Sequence, residues 1–133
     1  MREPVLKLRG ISKRFPGVVA NDQVDLDVYP GEVHALLGEN GAGKTTLMNS
    51  LYGFYQPDEG QIELSGRPVR IGSPAEAMRL GIGLVPQHPL LVRRHSVAEN
   101  LALGLPTGWW RPTKPLGKRL HELKQQYRLD VEG

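Results

Sequence analysis

The chain has 133 residues, of which 39% are hydrophobic and 23% charged, a size and composition typical of a single globular domain rather than a disordered protein. It contains no cysteine, which excludes disulfides, thiolate catalysis and cysteine-ligated zinc, and it has no apolar window near the roughly 20 residues that cross a bilayer. The net charge is +3, and the arginines are scattered without interleaved aromatic residues, so we expect no nucleic-acid partner.

Two stretches near the N-terminus alternate apolar and polar residues, as half-buried strands do. The first comprises residues 5–9 and ends at Gly10, and the second comprises residues 24–29. Residues 13–20 lie between them and contain the turn pair Pro16-Gly17, so they are predicted to form a loop or hairpin turn. The pattern predicts an antiparallel pair of strands with one face in water.

A Gly-rich loop follows an apolar run at residues 33–37, which lacks alternation and is predicted to be a strand buried in a parallel sheet. Residues 38–46 read Gly-Glu-Asn-Gly-Ala-Gly-Lys-Thr-Thr, and residues 47–52 are predicted to be a helix. The spacing Gly, four residues, Gly-Lys-Thr between strand and helix is the phosphate-binding pattern. Its glycines let successive N–H groups face an anion, and the helix directs its positive end to the same place. The loop therefore predicts a nucleoside-triphosphate site.

Each residue of this loop is a candidate for nucleotide binding. Lys44 is the candidate catalytic cation for the β- and γ-phosphates, and the Thr45 hydroxyl is a hard oxygen ligand suited to Mg²⁺. The full set of nucleotide-binding candidates in the loop is Gly38, Glu39, Asn40, Gly41, Ala42, Gly43, Lys44, Thr45 and Thr46.

After the loop, short strands and capped helices alternate. Residues 61–64 are predicted to be a strand, which turns at residues 65–68 into residues 69–71. Ser73 is a predicted helix N-cap, with Pro74 at the first helical position, and the helix ends at Gly81. Residues 82–85 are predicted to be a second buried strand.

The C-terminal part of the sequence is predicted to be helical. Ser96 and Glu99 have the spacing of a capping box at the start of a helix that reaches Leu103. Residues 104–112, which include two tryptophans, are predicted to form a loop. Residues 116–127 have leucines and a tyrosine at spacings of four, three and four, which predicts an amphipathic helix.

These motifs together resemble the N-terminal part of an ATP-binding cassette, the motor domain of ABC transporters. Residues 38–46 are similar to the Walker A motif, residues 85–87 to the segment that ends in the Q-loop glutamine, and residues 96–100 to the opening of the helical subdomain. The amino-acid sequence at residues 51–53, 56–60, 81–83 and 97–101 resembles that of the importer branch for simple sugars and nucleosides, in which two cassettes are fused in one polypeptide.

The resemblance implies roles for two further residues. Phe15 would stack on adenine, with Val18 and Ala20 as lesser apolar contacts, although an ordinary core phenylalanine remains the alternative. Gln87 would contact Mg²⁺ or the attacking water as a catalytic and metal-binding residue, and it would report the nucleotide state to the membrane domain; a surface glutamine is the alternative. The implied cofactors are ATP and Mg²⁺.

The resemblance also implies the architecture. The expected fold class is α/β, a P-loop NTPase cassette with a mainly parallel core sheet, an N-terminal antiparallel β subdomain and the start of a helical subdomain. Residues 1–90 would be the nucleotide-binding core with the β subdomain, and residues 91–133 the beginning of the helical subdomain, so that the domain is incomplete.

The implied function is that of an importer subunit, peripheral at the cytoplasmic face of the cell membrane, which couples ATP hydrolysis to uptake of a sugar or nucleoside. Its partners would be integral-membrane permease subunits, a second cassette and, indirectly, an extracytoplasmic solute-binding protein. Arg93, Arg94 and the Trp109-Trp110 pair fall where such cassettes face their membrane partners, although exposed charge and partly buried indoles explain them equally well. The four histidines lack metal-ligand spacing.

Some family motifs do not occur in these 133 residues. Residues 64–68, Leu-Ser-Gly-Arg-Pro, are similar to the Leu-Ser-Gly-Gly-Gln signature but precede Gln87, so we predict a strand–turn–strand there. No Walker B strand, catalytic glutamate or switch histidine follows Gln87, which is expected to leave residues 33–37 with an uncovered edge and the chain alone without ATPase activity. A non-catalytic cassette remnant that binds nucleotide or a partner is therefore an alternative function. A soluble cassette ATPase of DNA repair or translation is a third, disfavoured by the lack of a basic surface.

Overall fold

The computed structural model describes residues 3–88, 90–104 and 114–130. The chain divides between Leu84 and Val85 into two compact units. The predicted division into residues 1–90 and 91–133 stays a prediction.

A long antiparallel hairpin dominates the first unit. Strand β1 spans Leu6–Phe15 and strand β2 spans Val18–Val28, and Phe15 pairs with Val18 across a turn of only two residues. The predicted end of the first strand at Gly10 is wrong, because Gly10 adopts a φ of 59° within a register shift and the strand continues beyond it. A glycine in a strand can make such a bulge without ending the pairing. The predicted loop at residues 13–20 therefore shrinks to the Pro16-Gly17 turn.

Two further strands complete a four-stranded sheet. Strand β3 spans Glu59–Leu64 and strand β4 spans Arg67–Val69, and the order is β2-β1-β3-β4 with every pairing antiparallel. The predicted antiparallel β subdomain is confirmed. The strand–turn–strand prediction for residues 64–68 is also confirmed, so this segment does not present the helix N-terminus that a signature motif requires.

Two helices pack with this sheet. Helix α1 spans Lys44–Leu51 and helix α2 spans Pro74–Arg79, where the Ser73 side chain accepts a hydrogen bond from the Glu76 N–H as the predicted N-cap. Apolar side chains from the sheet, both helices and the segment between β4 and α2 form one buried core, namely Leu8, Ile11, Leu47, Leu51, Ile62, Ile71 and Ala77. Because Leu47 and Leu51 follow directly on the Gly-rich loop, burial of one face of α1 holds that loop against the sheet.

The second unit contains two helices that contact each other. Helix α3 spans Val97–Ala102 and begins with the predicted capping box, in which Ser96 and Glu99 exchange hydrogen bonds. Helix α4 spans Lys114–Tyr127, and Leu120 on its apolar face is buried as predicted, whereas Tyr127 is exposed. The predicted loop at residues 104–112, with both tryptophans, lies outside the described residues except for Gly104.

Two predicted strands are not formed within the described part of the chain. Residues 33–37 and 82–85 have no strand pairing, and Val33, Leu37 and Val85 are almost fully exposed, at 101%, 88% and 90%. A strand of a parallel sheet is buried only between paired neighbours and beneath helices. The four described strands pair only among themselves, so residues 33–37 lie exposed without forming a strand, and the expected strand with one uncovered edge is not observed.

Candidate functional site

The Gly-rich loop is joined to helix α1 at a glycine that no other residue could replace without strain. Gly43 is the N-cap of α1 and has φ 89° and ψ 2°, in the left-handed region. A Cβ atom placed there would lie 2.0 Å from the Ala20 carbonyl oxygen and 2.7 Å from the Asn21 amide nitrogen. The loop therefore approaches the backbone of β2 so closely that only a glycine fits.

Asn21 fastens the loop to β2. Its side chain is buried, and its Nδ2 donates to the Gly43 carbonyl oxygen at 3.1 Å. The same oxygen accepts the first hydrogen bond of the helix, from the Leu47 N–H at 2.9 Å. Sequence reasoning missed Asn21, because a single asparagine in a strand carries no local signal of a contact 22 residues away.

The Lys44 side chain lies back over its own loop. Its Nζ donates to the Gly38 and Glu39 carbonyl oxygens, both at 2.6 Å. An ammonium group has three donors, so one remains after these two bonds. The cation is thus held at the loop by two neutral acceptors rather than by a carboxylate, an arrangement in which an anion can compete for it.

The loop combines the features that attract a polyphosphate. Gly41, like Gly43, has positive φ, and the loop runs directly into a helix whose first N–H groups have no intrahelical acceptor. A Lys cation and a positive helix end at one place attract a multiply charged anion. The Thr45 side chain is exposed at the start of α1 and is a hydroxyl ligand suited to Mg²⁺.

Phe15 lies at the tip of the β1–β2 hairpin and is 36% exposed. Its ring contacts the Tyr55 ring edge-to-face, with 5.3 Å between centroids and 77° between planes, and the Lys13 Nζ lies 5.6 Å from its centroid. Phe15 pairs with Val18, and Asn21 is three residues further along β2, which corresponds to about 10 Å of extended strand. The β1–β2 hairpin therefore carries both the candidate aromatic residue, Phe15, and the Asn21 contact to the Gly-rich loop.

An acidic side chain secures the end of β1. The Asp58 carboxylate accepts the Arg14 backbone N–H at 2.6 Å and a Lys13 Nζ hydrogen bond at 2.9 Å. The pKa of the Asp58 carboxyl lies below its ordinary value, chiefly because it accepts the hydrogen bond of the Arg14 N–H and secondly because the Lys13 ammonium binds it. The neighbouring Glu59 carboxylate accepts from the Arg14 guanidinium at 2.7 Å and from the Gln23 amide at 3.0 Å.

Acid pH is expected to loosen this end of the hairpin. Because the folded-state pKa of Asp58 lies below its unfolded value, its contacts stabilise the fold above the unfolded pKa of about 4 and are lost as pH falls through the folded pKa. The protection factor of the Arg14 amide in hydrogen exchange should decrease below about pH 4. In Asp58→Asn the protection factor of the Arg14 amide should be lower at neutral pH and should not change as the pH falls. The same pH dependence of this protection factor in the two proteins would contradict the assignment.

Gln87 belongs to the second unit, so the structure does not relate it to the loop. Its side chain is exposed, outside any helix or strand, and its role stays a prediction. In the same unit Asn100 of α3 closes the preceding segment, because its Oδ1 accepts the Val92 N–H at 2.8 Å and its Nδ2 lies within 3.1–3.2 Å of the carbonyl oxygens of Val92, His95 and Ser96. Arg93 and Arg94 in that segment are exposed.

The family model described as ABC transporter matches residues 21–132. The chain belongs to the ABC transporter family. The chain is 58% identical over 103 residues to the glucose import ATP-binding protein TsgD13 of Haloferax volcanii, which covers 77% of this chain and 19% of that protein. It is 49% identical over 131 residues to the guanosine import ATP-binding protein NupO of Bacillus subtilis, covering 97% of this chain and 26% of that protein. The predicted resemblance to the sugar and nucleoside import branch is confirmed.

A solved ABC transporter structure has the same fold. The cbiO1 protein of Clostridium perfringens, part of an ABC transporter complex, aligns with a TM-score of 0.73 and 26% identity over 96% of this chain and 52% of that one. The α/β cassette fold class is therefore confirmed, although the described strands form only its antiparallel part. The chain spans between a fifth and about a quarter of the length of the two curated relatives. None of the helices in the described ranges combines the length and apolar character needed to span a membrane.

Proposed function

We propose that this ABC family chain is the ATP-binding part of an import ATPase that couples ATP binding and hydrolysis to uptake of a sugar or nucleoside. One observation carries the proposal: the Lys44 ammonium is held by loop carbonyls at the start of a helix whose N-terminus is fixed to β2 through Gly43. The names of the two relatives, both import ATP-binding proteins, support the direction of transport and the solute class.

The loop of residues 38–46 binds and orients the triphosphate of ATP. Lys44 exchanges its bonds to the Gly38 and Glu39 carbonyl oxygens for phosphate oxygens, and the two neutral acceptors it leaves can turn to solvent because both residues are exposed. The N–H groups at the start of α1 add donors that cost no reorganisation, since Gly43 already fixes their direction.

Thr45 and Gln87 are the residues of this chain that would hold Mg²⁺. When bound, the metal ion neutralises charge on the triphosphate. Membership of the family also implies that Gln87 orients the attacking water through its amide and reports the nucleotide state to the permease. Hydrolysis depends on several positioned groups acting together, so the groups of this chain bind and orient the nucleotide and act with a second cassette.

The remaining partners follow from this role. Permease subunits in the membrane and, through them, an extracytoplasmic solute-binding protein would complete the importer, which places the chain peripherally at the cytoplasmic face of the membrane. Arg93 and Arg94 are exposed on the second unit and are available for the permease contact.

Phe15 stacks on the base, and its removal tests the proposal. In the intact importer, Phe15→Ala should weaken ATP binding by about tenfold, because stacking on an aromatic side chain contributes 1–3 kcal/mol per base. Binding of inorganic tripolyphosphate, which has no base, should stay within about twofold. Isothermal titration calorimetry with both ligands measures the two constants.

Phe54→Ala is the matched control, since Phe54 is a more exposed aromatic, at 56%, that contacts Tyr52 instead. It should leave both constants unchanged. An ATP affinity that Phe15→Ala does not alter would refute the stacking role, and ATP binding that survives in both Phe15→Ala and Lys44→Ala would refute the nucleotide site itself.

A further inference from the structure

The ring of Phe15 is not held by the core. It lies beside a two-residue turn at the hairpin tip, and its neighbours Val18 and Val19 are 58% and 56% exposed. An exposed phenylalanine samples several rotamers unless specific contacts restrict it. The contacts that the structure provides are Tyr55, edge-to-face with the ring, and the Lys13 ammonium near it.

Both contacts depend on the segment that follows α1. The Phe54 and Tyr55 N–H groups donate to the Asn49 carbonyl oxygen of α1, at 2.9 and 3.3 Å, so Tyr55 is carried by the same helix that begins at the Gly-rich loop. Asp58, three residues after Tyr55, binds the Lys13 ammonium and the Arg14 N–H. The segment thus joins helix α1, which begins at the Gly-rich loop, to the hairpin tip.

We propose that Asp58 is a positioning residue for base recognition, which holds the end of β1 so that Phe15 stays packed against Tyr55 and ready to stack on adenine. This inference rests on the proposed function. In this role Asp58 acts without contacting the nucleotide. Its carboxylate binds the Lys13 ammonium and the Arg14 backbone N–H, and Arg14 directly precedes Phe15 in the chain.

The magnitudes favour positioning over bulk stability as the role of Asp58. Its side chain is 38% exposed, and an ion pair at such a site contributes little to the stability of a fold. The Arg14 N–H bond, in contrast, is at the residue before Phe15, where a small shift of backbone changes where the ring lies. The Asp58 N–H also donates to the Ser12 carbonyl oxygen at 2.8 Å, so both the backbone and the side chain of Asp58 are bound to β1.

A matched pair of variants in the intact importer tests the inference. Asp58→Ala removes a carboxylate that accepts a β1 backbone N–H at 2.6 Å next to Phe15. Asp25→Ala removes a carboxylate that accepts a β1 backbone N–H, that of Gly10, at the same 2.6 Å but five residues from Phe15. We expect Asp58→Ala to weaken ATP binding about fivefold and tripolyphosphate binding less than about twofold, and Asp25→Ala to leave the ratio of the two constants unchanged.

Two further variants separate positioning from general loosening. Asp58→Asn keeps an oxygen for the Arg14 N–H and should restore part of the ATP affinity. Asp58→Ala added to Phe15→Ala should cause no further loss of ATP affinity, since its effect passes through the ring. Equal losses for ATP and tripolyphosphate, or additive losses in the double variant, would overturn the inference. If Phe15→Ala weakens ATP binding but Asp58→Ala does not, this inference fails while the proposed function stands.

Discussion

Replacing Lys44 with alanine is expected to abolish ATP-dependent solute uptake by the intact importer while the protein still folds. The Nζ of Lys44 makes two hydrogen bonds, to the Gly38 and Glu39 carbonyl oxygens, and both residues are exposed and can bind water instead. A typical hydrogen bond contributes about 1 kcal/mol net, so the loss of stability should be small. The charge that Lys44 places on the triphosphate has no substitute among the neighbouring loop residues, and losing one such group commonly lowers the rate by about 10²-fold or more.

Uptake of labelled solute into vesicles that contain the complete importer measures this effect, and thermal unfolding checks the fold. Lys118→Ala is a suitable control, because Lys118 is an exposed lysine on α4 in the other unit and should leave uptake unchanged. Normal ATP-dependent uptake in Lys44→Ala would count decisively against the proposed role of the loop.

Replacing Gly43 with alanine is expected to destabilise the first unit by about 2–5 kcal/mol, from the left-handed backbone and the overpacking together. The new Cβ would lie 2.0 Å from the Ala20 carbonyl oxygen, a backbone atom that cannot rotate away, and 2.7 Å from the Asn21 amide. Relief of this clash requires the loop to move from β2, which also breaks the Asn21 bond to the Gly43 oxygen. ATP affinity should fall with stability.

Gly41→Ala separates the cost of the clash with β2 from the cost of the left-handed backbone conformation. Gly41 has φ 84°, nearly the value of Gly43, but an added Cβ there would meet nothing within 4 Å. This variant should therefore lose only about 1–2 kcal/mol. Urea unfolding of both variants gives the comparison, and equal free energies of unfolding would show that packing against β2 is unimportant at this position.

Local sequence patterns predicted the features that depend on interactions between residues close together in the sequence. Alternation at residues 5–9 and 24–29 predicted the antiparallel sheet, and the Ser73 and Ser96 N-caps predicted helix starts, since each depends on residues within a few positions of one another. The Gly-rich loop could be identified for the same reason, because the phosphate-binding conformation needs glycines at fixed spacing. The end of β1 at Phe15 could not, because a bulge at Gly10 and a terminating glycine look alike in sequence.

The sequence by itself determined the loop, the helix that follows it and the aromatic residue upstream. Only the tertiary structure decided how these are held together: Asn21 binds the loop across 22 residues, and Asp58 binds Arg14 across 44. The tertiary structure also decided that residues 33–37 lie exposed. An apolar run shows that a segment is suited to burial as a strand, but burial itself requires a neighbouring strand. Contacts between distant segments depend on the packing of the whole unit, and no local pattern of residues encodes them.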